Sequence, residues 1–251
     1  MRIACLGSIP AIPKAGAAAA REHVLQKPLS SFSESLRGLR SALALSNVDH
    51  PPKVVLFTSA LPDEGKTTTA VSFAHNAAMA GQRTLLIDCD LRHPSVHKSF
   101  AKATPKAGIV ELLAGHVLLD DVLFKDAESG VEVLPVASGS ANPADLLGSG
   151  QMQKLLDQFR RDYDFIVLDS APILPVSDAR VLSRIADKTV FVVRWADTPR
   201  DAAQNAIKTL HYYEANLAGA VLSVVDMTRQ AKYGYGDGGY YYGRYSHYYA
   251  H

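Results

Sequence analysis

The most constraining feature of this 251-residue chain is a Gly-Lys-Thr turn that lies between a buried-strand pattern and a helix pattern. Residues 53–58 form a short, β-branched apolar run, which is typical of a strand inside a parallel sheet. Residues 67–80 have the pattern of a helix that Gly81 ends. The segment between them, Ser59-Ala-Leu-Pro-Asp-Glu-Gly-Lys-Thr-Thr, satisfies the end of the phosphate-binding loop pattern. The sequence therefore predicts a strand–loop–helix unit that binds phosphates.

The residue types of this loop predict ATP and Mg²⁺ as cofactors. Backbone N–H groups and the helix N-terminus bind phosphates, Lys66 reaches the outer phosphates, and the Thr67 hydroxyl binds Mg²⁺. Ala60 replaces the first glycine of the pattern, and a chance Gly-Lys-Thr in an ordinary loop is the alternative. The strand–loop–helix context argues against chance. The predicted nucleotide-binding residues are Ala60, Pro62, Asp63, Glu64, Gly65, Lys66, Thr67, Thr68 and Arg92.

Two further strand patterns end in carboxylates. Asp88 and Asp90 end the run at residues 84–88, and Asp169 ends the run at 165–168. A single aspartate in this position is more often a turn or cap residue. Three at the carboxyl edge of a parallel sheet, where ligands bind, favour service to Mg²⁺ and to the attacking group. The predicted metal ligands are Thr67, Asp88, Asp90 and Asp169, and the predicted catalytic residues are Lys66, Asp88, Asp90 and Asp169.

Strand and helix patterns alternate as far as residue 225, which predicts an α/β P-loop NTPase fold: a mostly parallel sheet with helices on both faces. Residues 1–32 are predicted to be a linker and residues 33–228 the P-loop domain, with Ser33 as N-cap of its first helix. Residues 229–251 lack periodicity, which predicts a flexible, disordered tail.

Composition points to a cytoplasmic globular protein. Hydrophobic content is 47%, and the formal net charge of +1 gives no reason to expect nucleic-acid binding. Cys5 and Cys89 are expected to be free thiols in a reducing compartment. No apolar run approaches the roughly 18 residues of a membrane-spanning helix, although a membrane partner is compatible with this.

The tail concentrates the tyrosines. Eight of the chain's eleven lie in its last nineteen residues, interspersed with glycine. They are Tyr233, Tyr235, Tyr240, Tyr241, Tyr242, Tyr245, Tyr248 and Tyr249. A nucleotide site followed by a flexible string of phenols suggests a kinase that carries its own substrate. The alternative is a sticky, low-complexity segment that binds a partner.

Taken together, the motifs resemble those of the bacterial tyrosine kinases of capsule and exopolysaccharide export. The loop above resembles their Walker A motif, Ile87-Asp-x-Asp-x-Arg their Walker A′ motif, and Val167-Leu-Asp-x-x-Pro their Walker B motif. The segment Glu34-Ser-Leu-Arg-Gly-Leu-Arg40 resembles the family's subunit-contact motif. The resemblance spans about residues 33–226 and the tyrosine cluster. One departure is Ser223, where the family often has asparagine near the adenine.

The resemblance implies an ATP-dependent protein-tyrosine kinase that autophosphorylates its tail between subunits and regulates polysaccharide polymerisation and export. It implies a homo-oligomeric ring, an octamer, in which Glu34, Arg37 and Arg40 form the subunit contact; a solvated charged helix face is the alternative. It also implies a membrane-embedded chain-length regulator as partner, fused or separate, and a tyrosine phosphatase. Phosphorylation of the tail is expected to loosen the ring through charge repulsion.

A tyrosine phenol has a pKa of about 10, so its proton needs an acceptor during transfer. Asp88 and Asp90 are expected to divide the base and metal roles, with Asp88 preferred as the base. Asp169 is expected to assist Mg²⁺. Arg92 is expected to steady the phosphates or order its loop, with a structural salt bridge as an equal alternative.

Three rival functions remain open. One is a MinD/ParA-like partitioning or septum-placement ATPase, but that class has an early lysine where this chain has Leu61. Another is a non-catalytic, ATP-binding scaffold of a polysaccharide export complex. The third is a metabolic NTPase that transfers phosphate to water.

Overall fold

The computed structural model describes residues 3–14, 16–100, 105–137, 139–140 and 142–232. Its eight-stranded sheet is parallel apart from one antiparallel pair, β4–β5, and has the order β1-β8-β7-β2-β6-β3-β5-β4. The strands are β1 Cys5–Pro10, β2 Val54–Ser59, β3 Thr84–Cys89, β4 Phe124–Lys125, β5 Glu132–Leu134, β6 Phe165–Ser170, β7 Lys188–Arg194 and β8 Leu217–Val225.

Helices cover both faces of this sheet. They are α1 Ala17–Gln26, α2 Ser31–Leu45, α3 Lys66–Met79, α4 Ile109–Leu113, α5 Leu119–Val122, α6 Pro143–Leu147, α7 Gly150–Asp162, α8 Asp178–Ile185, α9 Arg200–Tyr212 and α10 Met227–Lys232, with a 3₁₀ turn at Val96–Phe100. Helices α1 to α3 share one apolar core with the sheet, whereas α4, α7, α8 and α9 contribute to cores on the other face. The α/β architecture expected from the sequence is confirmed.

The central strands are buried because both of their faces are covered. Every residue of β2, β3 and β6 is buried, in keeping with their continuous apolar sequences. Strands β3 and β6 are neighbours, and Asp88 pairs in register with Asp169. Strand β2 lies on the other side of β6 and leads into the Gly-Lys-Thr loop. This topology brings the three motifs to one edge of the sheet.

The prediction that residues 1–32 form a linker is wrong. Strand β1 pairs in parallel with β8, and α1 packs on α3 through the buried side chains of Ala20 and Val24. The N-cap prediction is also wrong, because the Ser30 hydroxyl accepts the Ser33 N–H at 3.2 Å and Ser33 lies within α2. The segment's Ala, Pro and Lys content hid a partly buried strand that depends on contacts with the distant β8 and with α2.

At the other end, α10 covers Met227–Lys232, so the tail predicted to start at 229 begins within a helix. The eight tail tyrosines lie outside the described residues. No helix in the described part of the chain is long and apolar enough to cross a membrane. Both cysteines are free thiols, with Cys5 exposed and Cys89 buried.

An ion pair ties α1 to the far end of the sheet. Arg21 donates to Asp126 at 2.7 Å, and Asp126 also accepts the Ser129 hydroxyl and lies 3.6 Å from the buried His75 ring. Burial alone would raise the pKa of Asp126, but hydrogen bonds from His75, Ser129 and Arg21 hold it below its ordinary value. The Asp126 carboxylate is therefore a fixed point between α1, α3 and β4.

Replacing Asp126 by Asn should lower the free energy of unfolding by about 1–3 kcal/mol at pH 7, because hydrogen bonds to a charged group are lost. A depressed pKa gives stability that is present above the unfolded-state value of 3.8 and lost as pH falls. The difference between wild type and variant should thus shrink below about pH 4. Urea denaturation at several pH values measures it. Glu128→Gln, at an exposed partner of Arg21, is the control, and a difference that persists in acid would contradict the account.

Candidate active site

Hydrogen bonds hold the loop after β2 in shape. The Glu64 carboxylate is buried and accepts the Leu61 N–H at 2.9 Å and the Thr198 hydroxyl at 2.5 Å. The Ser223 hydroxyl donates to the Glu64 carbonyl at 2.6 Å. Arg194 donates to the Asp63 carbonyl at 2.7 Å. Strands β7 and β8 and the turn after β7 therefore fix the loop that precedes α3.

Two loop residues have left-handed backbone conformations, Asp63 with φ 61° and Gly65 with φ 87°. Gly65 also lies against Ser223: a Cβ added at Gly65 would lie 3.2 Å from the Ser223 hydroxyl oxygen. Only glycine combines this conformation with so close an approach. The loop can therefore turn its backbone N–H groups toward a ligand at the start of α3.

We expect Gly65→Ala to weaken nucleotide binding about tenfold or more and to destabilise the fold by about 1–2 kcal/mol, because strain and crowding displace the loop. Gly81→Ala is a matched control, since Gly81 has φ 84° and no atom within 4 Å of an added Cβ. The control should share the backbone strain and keep wild-type nucleotide affinity. Calorimetry and thermal unfolding measure both effects, and equal affinity losses in the two variants would refute the role of the contact.

The structure brings the four residues predicted to be catalytic to one place. Lys66 Nζ lies 3.3 Å from an oxygen of Asp90 and 3.5 Å from the Thr67 hydroxyl. Asp88 accepts three backbone N–H groups, those of Asp90, Ser95 and Val96, each at 3.1 Å. Asp88 thus shapes the turn after β3, whereas Asp90 lines the open cavity.

Asp169 differs from Asp88 and Asp90 in its hydrogen bonding. Both of its oxygens are buried, and among the described residues neither makes a hydrogen bond of ordinary geometry, although the Thr67 hydroxyl lies near enough to stabilise the charge. Burial raises its pKa to about 6, although Lys66 and the Thr67 hydroxyl act in the opposite direction. A buried carboxylate with so few hydrogen bonds costs free energy, and a bound cation would offset that cost. Carboxylate and hydroxyl oxygens are the donors that Mg²⁺ prefers.

The charged groups around Lys66 shift one another's pKa values. Burial raises the pKa of Asp88 to about 8, and the negative charge of Asp169 adds to this effect. Burial alone would lower the pKa of Lys66, but the charges of Asp169 and Asp90 raise it overall. Lys66 is therefore held as a cation among carboxylates that are crowded together.

A cavity of about 980 Å³ opens above this cluster. Residues of the loop and of α3 line it, including Pro62, Asp63, Gly65, Lys66, Thr67 and Thr68. Ala60 and Glu64, which belong to the predicted nucleotide-binding residues, do not line the cavity. Ala60 is packed in an apolar core beside Ile173 and Phe191, and the Glu64 side chain points beneath the loop.

Part of the cavity wall comes from residues that sequence reasoning missed. Ile9 and Ile12 contribute from β1 and the segment after it, and Phe32 contributes from α2. Val224 lines the wall with φ 54°, an unusual conformation for a β-branched residue. The apolar Ile-Pro-Ala-Ile run at residues 9–12 was the available signal, but its role depends on pairing with β8.

The remaining predicted site residues take other positions. Arg92 lies at the cavity and forms a salt bridge with Asp178. On the exposed side of α2, Glu34 pairs with Arg37 at 2.6 Å, and Arg40 donates to Gln82 at 3.0 Å. Ser223 lies at the cavity, where it supports the loop.

Comparison with known proteins decides the family. Residues 63–217 match a family model described as an AAA domain. The chain is 34% identical over 211 residues to the tyrosine-protein kinase YwqD of Bacillus subtilis, covering 84% of this chain and 89% of the relative. The chain belongs to the bacterial tyrosine kinases. It is also 33% identical to the succinoglycan biosynthesis transport protein ExoP of Rhizobium meliloti, of whose length it spans 28%.

Solved structures agree with this bacterial tyrosine kinase assignment. The chimeric protein CapA2B2 superposes with a TM-score of 0.82 at 28% identity, covering 89% of this chain and 95% of the other. The kinase domain of Escherichia coli ETK gives a TM-score of 0.81 at 27% identity, covering 89% and 91%. The septum-site protein MinD of Pyrococcus horikoshii, at 18% identity and a TM-score of 0.58, shares the fold alone.

Proposed function

We propose that this kinase domain transfers the γ-phosphoryl group of Mg·ATP to tyrosines of its own C-terminal tail. The observation that carries the proposal is the position of Lys66 beside Thr67 and Asp90, with the buried carboxylate of Asp169 near enough to interact with Lys66 and the Thr67 hydroxyl. Thr67 and Asp169 would hold Mg²⁺, and Asp90 would complete the site. When bound, Mg²⁺ supplies positive charge that neutralises the phosphate oxygens.

In the transfer, the tyrosine oxygen bonds to the γ-phosphorus, the bond from that phosphorus to ADP breaks, and the phenol proton passes to a carboxylate. Lys66 stabilises negative charge on the transferred group. Asp88 is the preferred proton acceptor because burial raises its pKa, which makes its ionised form a stronger base than an ordinary aspartate. Asp90, which lines the cavity, is the alternative.

The variants Asp88→Asn and Asp90→Asn separate these two assignments. Loss of the base should abolish the alkaline-going rise of the transfer rate between pH 6 and 8 while nucleotide affinity is kept. Loss of a group serving Mg²⁺ should weaken the response to Mg²⁺ instead. Unchanged phosphotyrosine in Asp88→Asn would remove Asp88 from the role.

We propose that the tail is phosphorylated in a neighbouring subunit. It follows α10, whose Arg229 guanidinium lies 5.7 Å from the centre of the Trp195 ring and whose Gln230 donates to the Ser8 hydroxyl. These contacts fix the position of α10, which the tail follows in the sequence. Association of subunits would raise the effective concentration of one tail at the next subunit's site.

A mixing experiment tests this. Chains carrying Lys66→Met and an intact tail are incubated with active chains that end at residue 232, in the presence of Mg·ATP. Phosphate on the Lys66→Met chain shows transfer between subunits. Phosphate in wild type but none in the mixture would show that each chain phosphorylates its own tail.

We also propose that Glu34, Arg37 and Arg40 contribute to the contact that closes a ring. Glu34 is exposed and Arg37 is partly exposed on α2, which suits a charged contact with another subunit. Arg37→Glu should dissociate the ring, whereas Arg184→Glu, in an exposed pair with Glu214, should not. Sedimentation before and after full phosphorylation measures both effects. An unchanged oligomer after phosphorylation would contradict the expected loosening.

The similarity to ExoP supports a role in exopolysaccharide polymerisation and export. In that role the domain acts at the cytoplasmic face of the inner membrane, fused to or paired with a membrane-embedded chain-length regulator, and a tyrosine phosphatase resets the tail. Deletion of the chain's gene should change polymer length or yield, and Lys66→Met should reproduce that change. Normal polymer in both strains would exclude the role.

A further inference from the structure

Asp178 is a buried carboxylate whose described side-chain contacts are with Arg92. It is the first residue of α8 and is 0% exposed. Arg92 donates from Nε at 2.7 Å and from a terminal nitrogen at 3.1 Å to its two oxygens, a bidentate geometry. Burying a carboxylate is costly unless its partner is well placed. The Arg92 side chain is 40% exposed, so the buried member of the pair is the carboxylate.

The pair joins the two segments that carry the metal-site carboxylates. Arg92 lies in the turn after β3, where Asp90 accepts the His93 N–H at 3.0 Å. Asp178 follows the loop that leaves β6 after Asp169, and Pro175 and Val176 of that loop line the cavity. Fixing Arg92 to Asp178 therefore fixes the Asp90 turn against the Asp169 loop.

The same geometry limits what Arg92 can do directly. Two of its three guanidinium nitrogens already face Asp178, so its fork is oriented toward a carboxylate of the protein. The paired charges largely cancel at the cavity. Arg92 therefore contributes through the position in which it holds its segment rather than through its charge.

We propose that Asp178 is a positioning residue for Mg·nucleotide: by holding Arg92, it sets the separation between Asp90 and Asp169. The proposal rests on the proposed Mg²⁺ roles of those two aspartates. Groups that orient metal ligands typically change metal affinity by about 10–100-fold when removed. The effect should therefore appear in the Mg²⁺ dependence of nucleotide binding and not in nucleotide binding without metal.

The test measures the affinity of fluorescent MANT-ADP with and without Mg²⁺ for wild type, Asp178→Asn, Arg92→Ala and the double variant. Each single variant should lose about tenfold of the Mg²⁺ enhancement, and the double variant should lose no more. Affinity without Mg²⁺ should stay within about twofold. Arg92→Lys keeps the charge but not the bidentate geometry, and it should fall between wild type and Arg92→Ala.

The matched control is Arg160→Ala. Arg160 and Asp187 form a partly buried pair at 2.7 Å, and Asp187 also accepts the N–H groups of Lys53 and Val54, at the start of β2 and so far from the site. The control should lower thermal stability and leave the Mg²⁺ enhancement unchanged. If Asp178→Asn does not fold, Arg92→Lys provides the test, because it changes the partly exposed member of the pair and keeps the buried carboxylate.

Three results would overturn the proposal. An intact Mg²⁺ enhancement with a loss of stability like that of Arg160→Ala would make the pair merely structural. Weaker MANT-ADP binding without Mg²⁺ in Arg92→Ala alone would make Arg92 a phosphate ligand. Additive losses in the double variant would show that the two residues act separately. Failure of the proposed kinase function would be distinguishable from failure of this proposal, because it would appear as the absence of phosphotyrosine from wild type.

Discussion

Replacing Lys66 by Met should reduce tail phosphorylation at least about 10³-fold, because a single well-placed cation or donor at a transferred group contributes on this scale. Lys66 lies 3.3 Å from Asp90 and 3.5 Å from the Thr67 hydroxyl, and all three residues line the cavity. Methionine keeps most of the side-chain length and removes the charge. Phosphotyrosine formation in a time course measures the loss.

The same variant should be less stable than wild type without ligand. At pH 8 the loss should be about 1–3 kcal/mol, because Asp90 loses a buried partner. Asp88 and Asp169 have pKa values raised to about 8 and about 6, so both take up protons as pH falls and the repulsion decreases. The destabilisation should therefore be smaller at pH 6. A variant as stable as wild type at both pH values, or a variant with activity near that of wild type, would contradict the proposed role of Lys66.

Replacing Asp169 by Asn should strongly reduce activity while raising the stability of the ligand-free protein. Activity should fall about 10²–10³-fold, because a carboxylate that serves Mg²⁺ is lost. Stability at pH 8 should rise by an amount on the order of 2 kcal/mol, because Asp169 is buried and ionised, and burial disfavours its charge more than Lys66 and Thr67 stabilise it.

The pH dependence fixes the sign of this stability change. The Asp169 carboxyl has an ordinary pKa of 3.8 and a folded-state pKa raised to about 6. Ionisation therefore disfavours the folded state, and wild type should lose stability relative to Asp169→Asn as pH rises from about 4 to 6. Saturating Mg·ADP should reverse the order of stability. A variant that is less stable than wild type without ligand would refute the account of Asp169.

The core of the fold and of the site follows from local patterns in the sequence. The apolar runs that became β2, β3 and β6 are buried over their full length, which is why their boundaries are within one or two residues of those predicted. The Gly-Lys-Thr turn and the aspartates at strand ends come together because parallel strands end at one edge. For the same reason, Lys66, Asp90 and Asp169 could be named before any coordinates.

Features that depend on distant partners could not be predicted. Strand β1 exists because Cys5 pairs in register with Ala220. Ser30 and Ser33 are equally good N-caps by residue type, and only packing of α2 decides between them. A structural salt bridge is one of the roles expected of Arg92, but the sequence does not identify its partner, because Asp178 lies 86 positions away.

The most direct test of the central claim is mass spectrometry of the intact protein and its peptides after incubation with Mg·ATP, beside Lys66→Met. The account predicts several phosphates on peptides that contain Tyr233 to Tyr249 in wild type and none in the variant. If the wild-type tail stays bare, the incubation is repeated with a cytoplasmic peptide of a candidate membrane partner. ATP consumption with a tail that remains bare would contradict the account and assign the chain to the ATPases, and a bare tail without consumption would leave a nucleotide-binding scaffold.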